Sequence, residues 1–200
     1  METVYQISTN TIHTKTLSEL SSSLKRGISS YGVKGNDLTV RLINVRDIQN
    51  GTIITETVEQ VTVKNTMAVH TSRLVPGDLL VIAKGPNFRA AVAGEAHRDF
   101  TYSTNLIGLS LVGEVIPGYV AAYLNSQSGQ KKIQARAAGA SIQGLTAQSL
   151  LEIPIPLPPL DVQKRLADYT DYHRQYVELM NQEIALRTAI RDALMQNIVE

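Results

Sequence analysis

The most restrictive feature lies near the C-terminus. Pro154, Pro156, Pro158 and Pro159 fall within LEIPIPLPPLD, and from Asp161 to Val199 the chain has neither glycine nor proline. Proline fixes φ, lacks an N–H and pushes its predecessor to extended geometry, so the first stretch cannot be helix. In the second, apolar or aromatic residues recur at three and four: Val162, Leu166, Tyr169, Tyr172 or His173, Tyr176, Leu179 or Met180, Ile184, Leu186, Ile190, Leu194 and Ile198. The pattern predicts an extended connector, then a long helix with Asp161 as its N-cap. Such a helix, about 39 residues and about 58 Å, far exceeds the usual length in a globular domain. It should project and bury its stripe against a second long helix, which this chain does not supply. Two arrangements remain open, dimerisation through a coiled coil or a helix folded back across its own domain. Glu183 and Arg187 interrupt a strict heptad seam.

The preceding part reads differently. Thr16–Gly27 is predicted as a short helix with Leu17, Leu20 and Leu24 on one face and Gly27 as its stop. Strand-like runs follow at Leu38–Val45, Thr52–Thr57, Glu59–Val63, Leu79–Ile82, Ala90–Ala93 and Leu106–Leu111. Asn50-Gly51 between two of them signals a hairpin. Pro117 opens a helix through Asn125, Gly129–Ala138 gives another, and Ser141–Leu151 carries a last short turn. With 43% hydrophobic residues a packed core is expected. The expected class is α+β: a curled mixed sheet with small helices over residues 1–155, then a helical segment over 156–200.

The sequence offers no catalytic constellation. The chain has no cysteine, which excludes a disulfide framework, a thiolate zinc finger, an iron–sulfur cluster and a cysteine nucleophile. His13, His70, His97 and His173 form no HExxH or HxH pair, and Glu95, His97 and Asp99 read as the solvated face of one strand. After Asp78 the second carboxylate of a nuclease motif is missing; GxSxG and GxxxxGK[ST] are absent, as are the loop and catalytic motif of a methyltransferase. No cofactor and no metal is expected. The N-terminus shows no secretory signal and no apolar run reaches a membrane span, so a soluble, cytoplasmic protein is expected.

Charge is distributed unevenly behind a net +1. The first 100 residues hold 11 basic and 9 acidic side chains, the next 60 hold 3 and 2, and the last 40 hold 5 and 7. Local basic density occurs in LKRGISSYGVKGN and AKGPNFRAA, where Lys and Arg stand beside Gly, Asn and Tyr in loop-like sequence. Such residues suit phosphate and base-edge contacts, although any domain carries solvated cations.

The order of motifs then matters. YGVKGNDLTVRLINVRDIQNG, LVPGDLLVIAKG, STNLIGLSL, PGYVAAYLNSQSGQKKI and GASIQGLTAQSLLEIPIPLPPLDVQKRLAD follow one another along nearly the whole chain. In this order they resemble one half of a specificity subunit (HsdS) of type I restriction–modification systems. The last segment is the most specific, with a glycine-led element ahead of Ile-Pro-Ile-Pro-Leu-Pro-Pro-Leu-x-x-Gln at the entry to the long helix. The resemblance implies a non-catalytic target recognition domain that reads half of a split sequence in double-stranded DNA. It also implies a conserved helix that acts as spacer and as dock for methyltransferase subunits, with a restriction or translocase subunit as a further partner. A full specificity subunit has two such domains and two antiparallel helices, whereas here there is one of each. The resemblance therefore points to a homodimer reading a symmetric, interrupted site. Candidate DNA contacts are Lys25, Lys34, Lys84, Arg89 and Arg98, with Asn36 and Asn87 as adenine readers. Candidate dimer contacts are Tyr169, Tyr176, Ile184, Ile190 and Leu194. The competing readings are an adaptor of the same fold that no longer reads DNA, and an enzyme with an unfamiliar site.

Overall fold

A central four-stranded antiparallel sheet organises the domain, and its buried apolar strands explain why. The computed structural model describes residues 12–29, 38–64, 67–85, 87–137 and 144–199. The first elements are β1 (His13–Thr16), β2 (Ser21–Arg26), β3 (Leu38–Ile43), β4 (Ile48–Gln49), β5 (Thr52–Ile53), β6 (Glu59–Val63) and α1 (Met67–Thr71). Next come β7 (Leu79–Ile82), β8 (Ala90–Val92), β9 (Thr101–Tyr102) and β10 (Leu106–Leu111). The chain ends with α2 (Pro117–Asn125), α3 (Gln127–Ala137), α4 (Ala147–Leu151), β11 (Pro154–Leu157) and α5 (Leu160–Val199). The class is α+β, as expected, with small helices and one long C-terminal helix.

The central order is β2-β10-β7-β8. All four residues of β7 are buried, as a continuous apolar strand covered on both faces must be. Strand alternation sends Leu79 and Val81 to a core shared with Val120, Leu124, Ile133 and Leu150 of α2, α3 and α4. Leu80 and Ile82 face a second core with Ile43, Leu74, Phe100 and Tyr102. A smaller sheet, β6-β3-β9, closes a third cluster on Val40, Leu42, Val63 and Val69. The predicted bounds of β6, β7, β10 and α2 match the structure. The Asn50-Gly51 hairpin is present, with Ile48 opposite Ile53 and φ of 50° and 78° at the two turn residues. Both angles lie in the left-handed region that a two-residue hairpin turn requires.

The predicted Thr16–Gly27 helix is a single turn followed by a strand. Thr16 N–H and Oγ1 each donate to the Glu19 carboxylate at 2.7 Å, and Leu17 and Leu20 are fully buried. Ser21–Arg26 then pairs antiparallel with β10, placing Leu24 opposite Leu109. Serine competes poorly for helix interiors, and the open edge of β10 offers a complete ladder. The three-four spacing of the leucines therefore spans a turn and a strand. The proline run is extended, as expected, and also pairs: β11 lies antiparallel to β1, with Thr14 opposite Pro156. Prolines at alternate positions leave the N–H groups of Ile155 and Leu157 for the ladder.

Helix α5 starts one residue before the predicted cap. The N–H groups of Val162 and Gln163 donate to the Pro159 carbonyl at 2.9 and 3.0 Å, and Asp161 instead accepts from Arg165. The first two turns pack on the domain through Gln163, 2% exposed, and Ala167. Beyond them Tyr169, Tyr176, Ile184, Ile190 and Leu194 are between 54% and 68% exposed. At about 100° per residue, all of these except Ile184 lie roughly opposite Gln163 and Ala167. The apolar stripe is turned away from its own domain. Among the described residues no helix is long and apolar enough to cross a membrane.

Candidate nucleic-acid interface

The central sheet sends its loops to two opposite ends, and these ends differ electrostatically. At one end lie the β7–β8 tip, the turn before β10 and the end of β2. The tip is clamped by backbone: Ala83 and Lys84 N–H both donate to the Asn105 carbonyl, at 2.9 and 3.1 Å, and Leu145 N–H donates to Ala83 at 2.8 Å. Gln130 of α3 donates to the Phe88 carbonyl at 2.5 Å. Asn125 of α2 brackets Ala90, accepting from its N–H at 2.9 Å and donating to its carbonyl at 2.8 Å. Lys84, Asn87 and Arg89 project from this rigid base, all exposed. Arg89 donates to the Asn125 carbonyl at 3.3 Å, while Lys84 and Asn87 have no partner among the described residues.

Strand register brings one more cation to this end, and α3 carries another close to the Gln130 clamp in sequence. Arg26 pairs with Ile107 at the same end of the sheet, and Lys131 follows Gln130 on α3. Both are exposed, without a partner among the described residues. Arg26 belongs to the basic stretch LKRGISSYGVKGN, but its place at this end of the sheet follows only from the pairing of β2 with β10. No carboxylate occurs in the segments 83–89, 103–106 or 144–146 that meet there.

At the opposite end the predicted cations are already paired. The Lys25 ammonium lies 2.5 Å from Asp78, with 16% and 1% of the two side chains exposed. Asp78 also accepts from Val75 N–H at 2.9 Å and from Ser110 at 2.6 Å, so this is a satisfied interior network. Arg98 makes a bidentate bridge to Glu95 at 2.9–3.0 Å. Lys34 and Asn36 lie outside the described residues.

Glu95, His97 and Asp99 do not share a strand face. Glu95–His97 is a 3-10 turn, His97 points inward at 9% exposure, and Asp99 has φ 64°. The His97 Nδ1 accepts from Gly94 N–H at 2.9 Å, so the proton sits on Nε2, 3.1 Å from Thr55 Oγ1. Burial holds this imidazole below its ordinary pKa, a bond involving the Ile53 backbone opposing it. The neutral ring thus staples the turn to the segment after the β4–β5 hairpin. A group with a depressed folded pKa binds a proton more readily when unfolded. Stability should therefore be intact above the ordinary histidine pKa of about 6.5 and fall as pH drops toward the folded value. Urea denaturation from pH 7.5 to 5.5 checks this, since His97→Gln should remove that part of the pH dependence. An unchanged slope in the variant would show that other groups carry it. Among the described residues no group of three or more His, Asp or Glu could hold a metal.

Alongside α5 runs a cleft of about 700 Å³ bounded by the β4–β5 hairpin, Arg89, Asn125 and the helix from Thr170 to Ala185. The geometry is that of a domain with a cation-bearing loop end and a long helix springing from its other elements. The sequence model of the type I restriction modification DNA specificity domain matches residues 10–186. The chain belongs to this family. Over 134 residues it is 28% identical to the EcoKI specificity subunit of Escherichia coli K12 and 28% to the StySPI specificity subunit of Salmonella potsdam. The match covers 65% of this chain and 28% of each relative. The HsdS subunit from Thermoanaerobacter tengcongensis superposes with a TM-score of 0.66 at 16% identity, over 92% of this chain and 47% of that one. That likeness shows the specificity-subunit fold, and this chain spans less than half of each of these proteins.

Proposed function

We propose that this specificity-family chain is a non-catalytic DNA reader. It homodimerises through α5, recognises a symmetric interrupted site and directs separate methyltransferase subunits to it, with a restriction or translocase subunit as a further partner. The observation that carries the reading is the presence, in one chain of this family, of a loop end whose cations meet no carboxylate among the described residues and of a helix whose apolar stripe faces solvent. Residues 1–155 serve as the reader and 156–200 as the spacer. A two-fold antiparallel helix pair sets identical readers at opposite ends, and protein symmetry then matches site symmetry. The likeness to subunits of type I restriction enzymes supports the methyltransferase partner.

Lys84, Asn87 and Arg89 are the leading DNA contacts, joined by Arg26 and Lys131. Lys34 and Asn36, in the glycine-flanked stretch YGVKGND, complete the proposed set. Lys25 and Arg98 would have to exchange a carboxylate for DNA, which makes them weaker contacts. Arg and Lys suit guanine or phosphate, and Asn suits adenine. Selection from random duplex DNA, followed by titration against salt, tests the reading. Wild type should enrich one interrupted palindrome. Lys84→Ala should weaken binding on all sequences and reduce the salt slope by about 1, whereas Asn87→Ala should relax one base position by about 1–3 kcal/mol. If wild type enriches nothing and its weak binding is flat with salt, the adaptor reading takes its place.

A further inference from the structure

The joint between domain and helix is built around one buried amide. Gln163 is 2% exposed, and its Oε1 accepts the Ile116 N–H at 3.0 Å while its Nε2 donates to the Pro158 carbonyl at 2.9 Å. The first bond ties α5 to the entry of α2, and the second ties the helix to Pro158, in the connector between β11 and α5. Two contacts brace the same point. A Cβ on Gly118 would stand 3.2 Å from the Ala167 Cβ, and Tyr119 Oη donates to the Pro156 carbonyl at 2.7 Å. Farther along, the open cleft separates the helix from the β4–β5 hairpin. The direction of α5 is therefore set in its first two turns.

We infer that Gln163 is a positioning residue that holds α5 at a fixed angle to the reading domain, and thereby sets the half-site spacing the dimer accepts. The inference rests on the DNA-reading dimer proposed above. Leverage explains why one amide suffices. A 40-residue helix is about 60 Å long, so a tilt of about 10° at its root moves the far end by about 10 Å, or about three base pairs. Replacing the amide by an apolar group of similar volume leaves a buried N–H and a buried carbonyl without partners, and the joint relieves this by opening to water. The seam along the helix and the loop end of the sheet are untouched by that change.

The test uses Gln163→Met in the full chain, with Gln163→Glu as a second variant that keeps the acceptor for Ile116. The absence of cysteine permits clean spin labelling at Met67→Cys and Ala193→Cys, diluted with unlabelled chain so that only distances within one protomer are read. Wild type should give a narrow distance distribution, Gln163→Met a broad one, and Gln163→Glu one between them. On the selected DNA site, with the spacer shortened or lengthened by up to about three base pairs, wild type should prefer one length at least about tenfold. Gln163→Met should flatten this to within about threefold while its dimer mass and half-site sequence preference stay unchanged. A folded Gln163→Met dimer with a narrow distribution and an unaltered spacer preference overturns the inference. A wild type that selects no sequence, with a broadened Gln163→Met distribution, overturns the DNA reading and with it the spacing role, but leaves the joint as described.

Discussion

Ile190→Glu combined with Leu194→Glu should convert a dimer into a 21.9 kDa monomer and cut affinity for the full DNA site at least about a hundredfold. Both side chains are 60% exposed on the isolated chain, yet they continue the stripe begun by Tyr169 and Tyr176. Burying two carboxylates in an apolar seam is costly, so the pair should come apart. The second reader then loses its tether, and the affinity gain of about 10²–10⁴ from linked binding disappears with it. Folding of the domain should barely respond, because exposed substitutions away from packed features usually change stability by less than about 0.5 kcal/mol. Sedimentation at micromolar concentration, with the thermal midpoint recorded in parallel, checks both parts. A wild type that sediments as a monomer would remove the helix pair from the proposal. A double variant that stays dimeric would place the interface elsewhere.

The largest stability loss is expected at Asp78→Ala, at about 3–5 kcal/mol. Asp78 is 1% exposed and gathers the Lys25 ammonium, the Val75 N–H and the Ser110 hydroxyl around one carboxylate. Removing it strands a mostly buried cation between β2 and β7. A domain with about 5–15 kcal/mol of total stability would then be close to its limit. The double variant Lys25→Met with Asp78→Leu should recover part of the loss, because replacing a buried ion pair by apolar side chains is often tolerated. Urea titrations followed by far-ultraviolet circular dichroism compare the three proteins. A loss below about 1 kcal/mol in Asp78→Ala would mean that the pair is effectively solvated.

Much of this fold is legible without coordinates. The strands β6, β7 and β10 and the helix α2 follow from β-branched runs, from Gly and Pro punctuation and from a proline at the first helical position. Asn50-Gly51 names its own turn. The Thr16–Gly27 segment fails for an identifiable reason. Leu17, Leu20 and Leu24 satisfy a helical period, but the strand that captures Ser21–Arg26 is β10, far along the chain. The candidate interface divides in the same way. Loop composition around Lys84, Asn87 and Arg89 marks an exposed basic turn, and the structure places it on a clamped hairpin tip. Nothing local distinguishes Lys25 from those cations, because its carboxylate lies 53 residues away.

Gln163 marks the boundary between the two kinds of information. Its place in Pro-Pro-Leu-x-x-Gln can be read directly, but its role depends on an N–H 47 residues earlier. The sequence alone determined the long helix, the extended proline run before it, the family likeness and the absence of a familiar catalytic motif. These rest on spacing within a few turns or strands, where backbone geometry and proline sterics act locally. Tertiary structure alone decided which of the described cations meet a carboxylate, which face α5 turns to solvent and how the helix is anchored. Each of those outcomes depends on partners remote in sequence, since ion pairs, ladder edges and buried amides are satisfied in space and not along the chain.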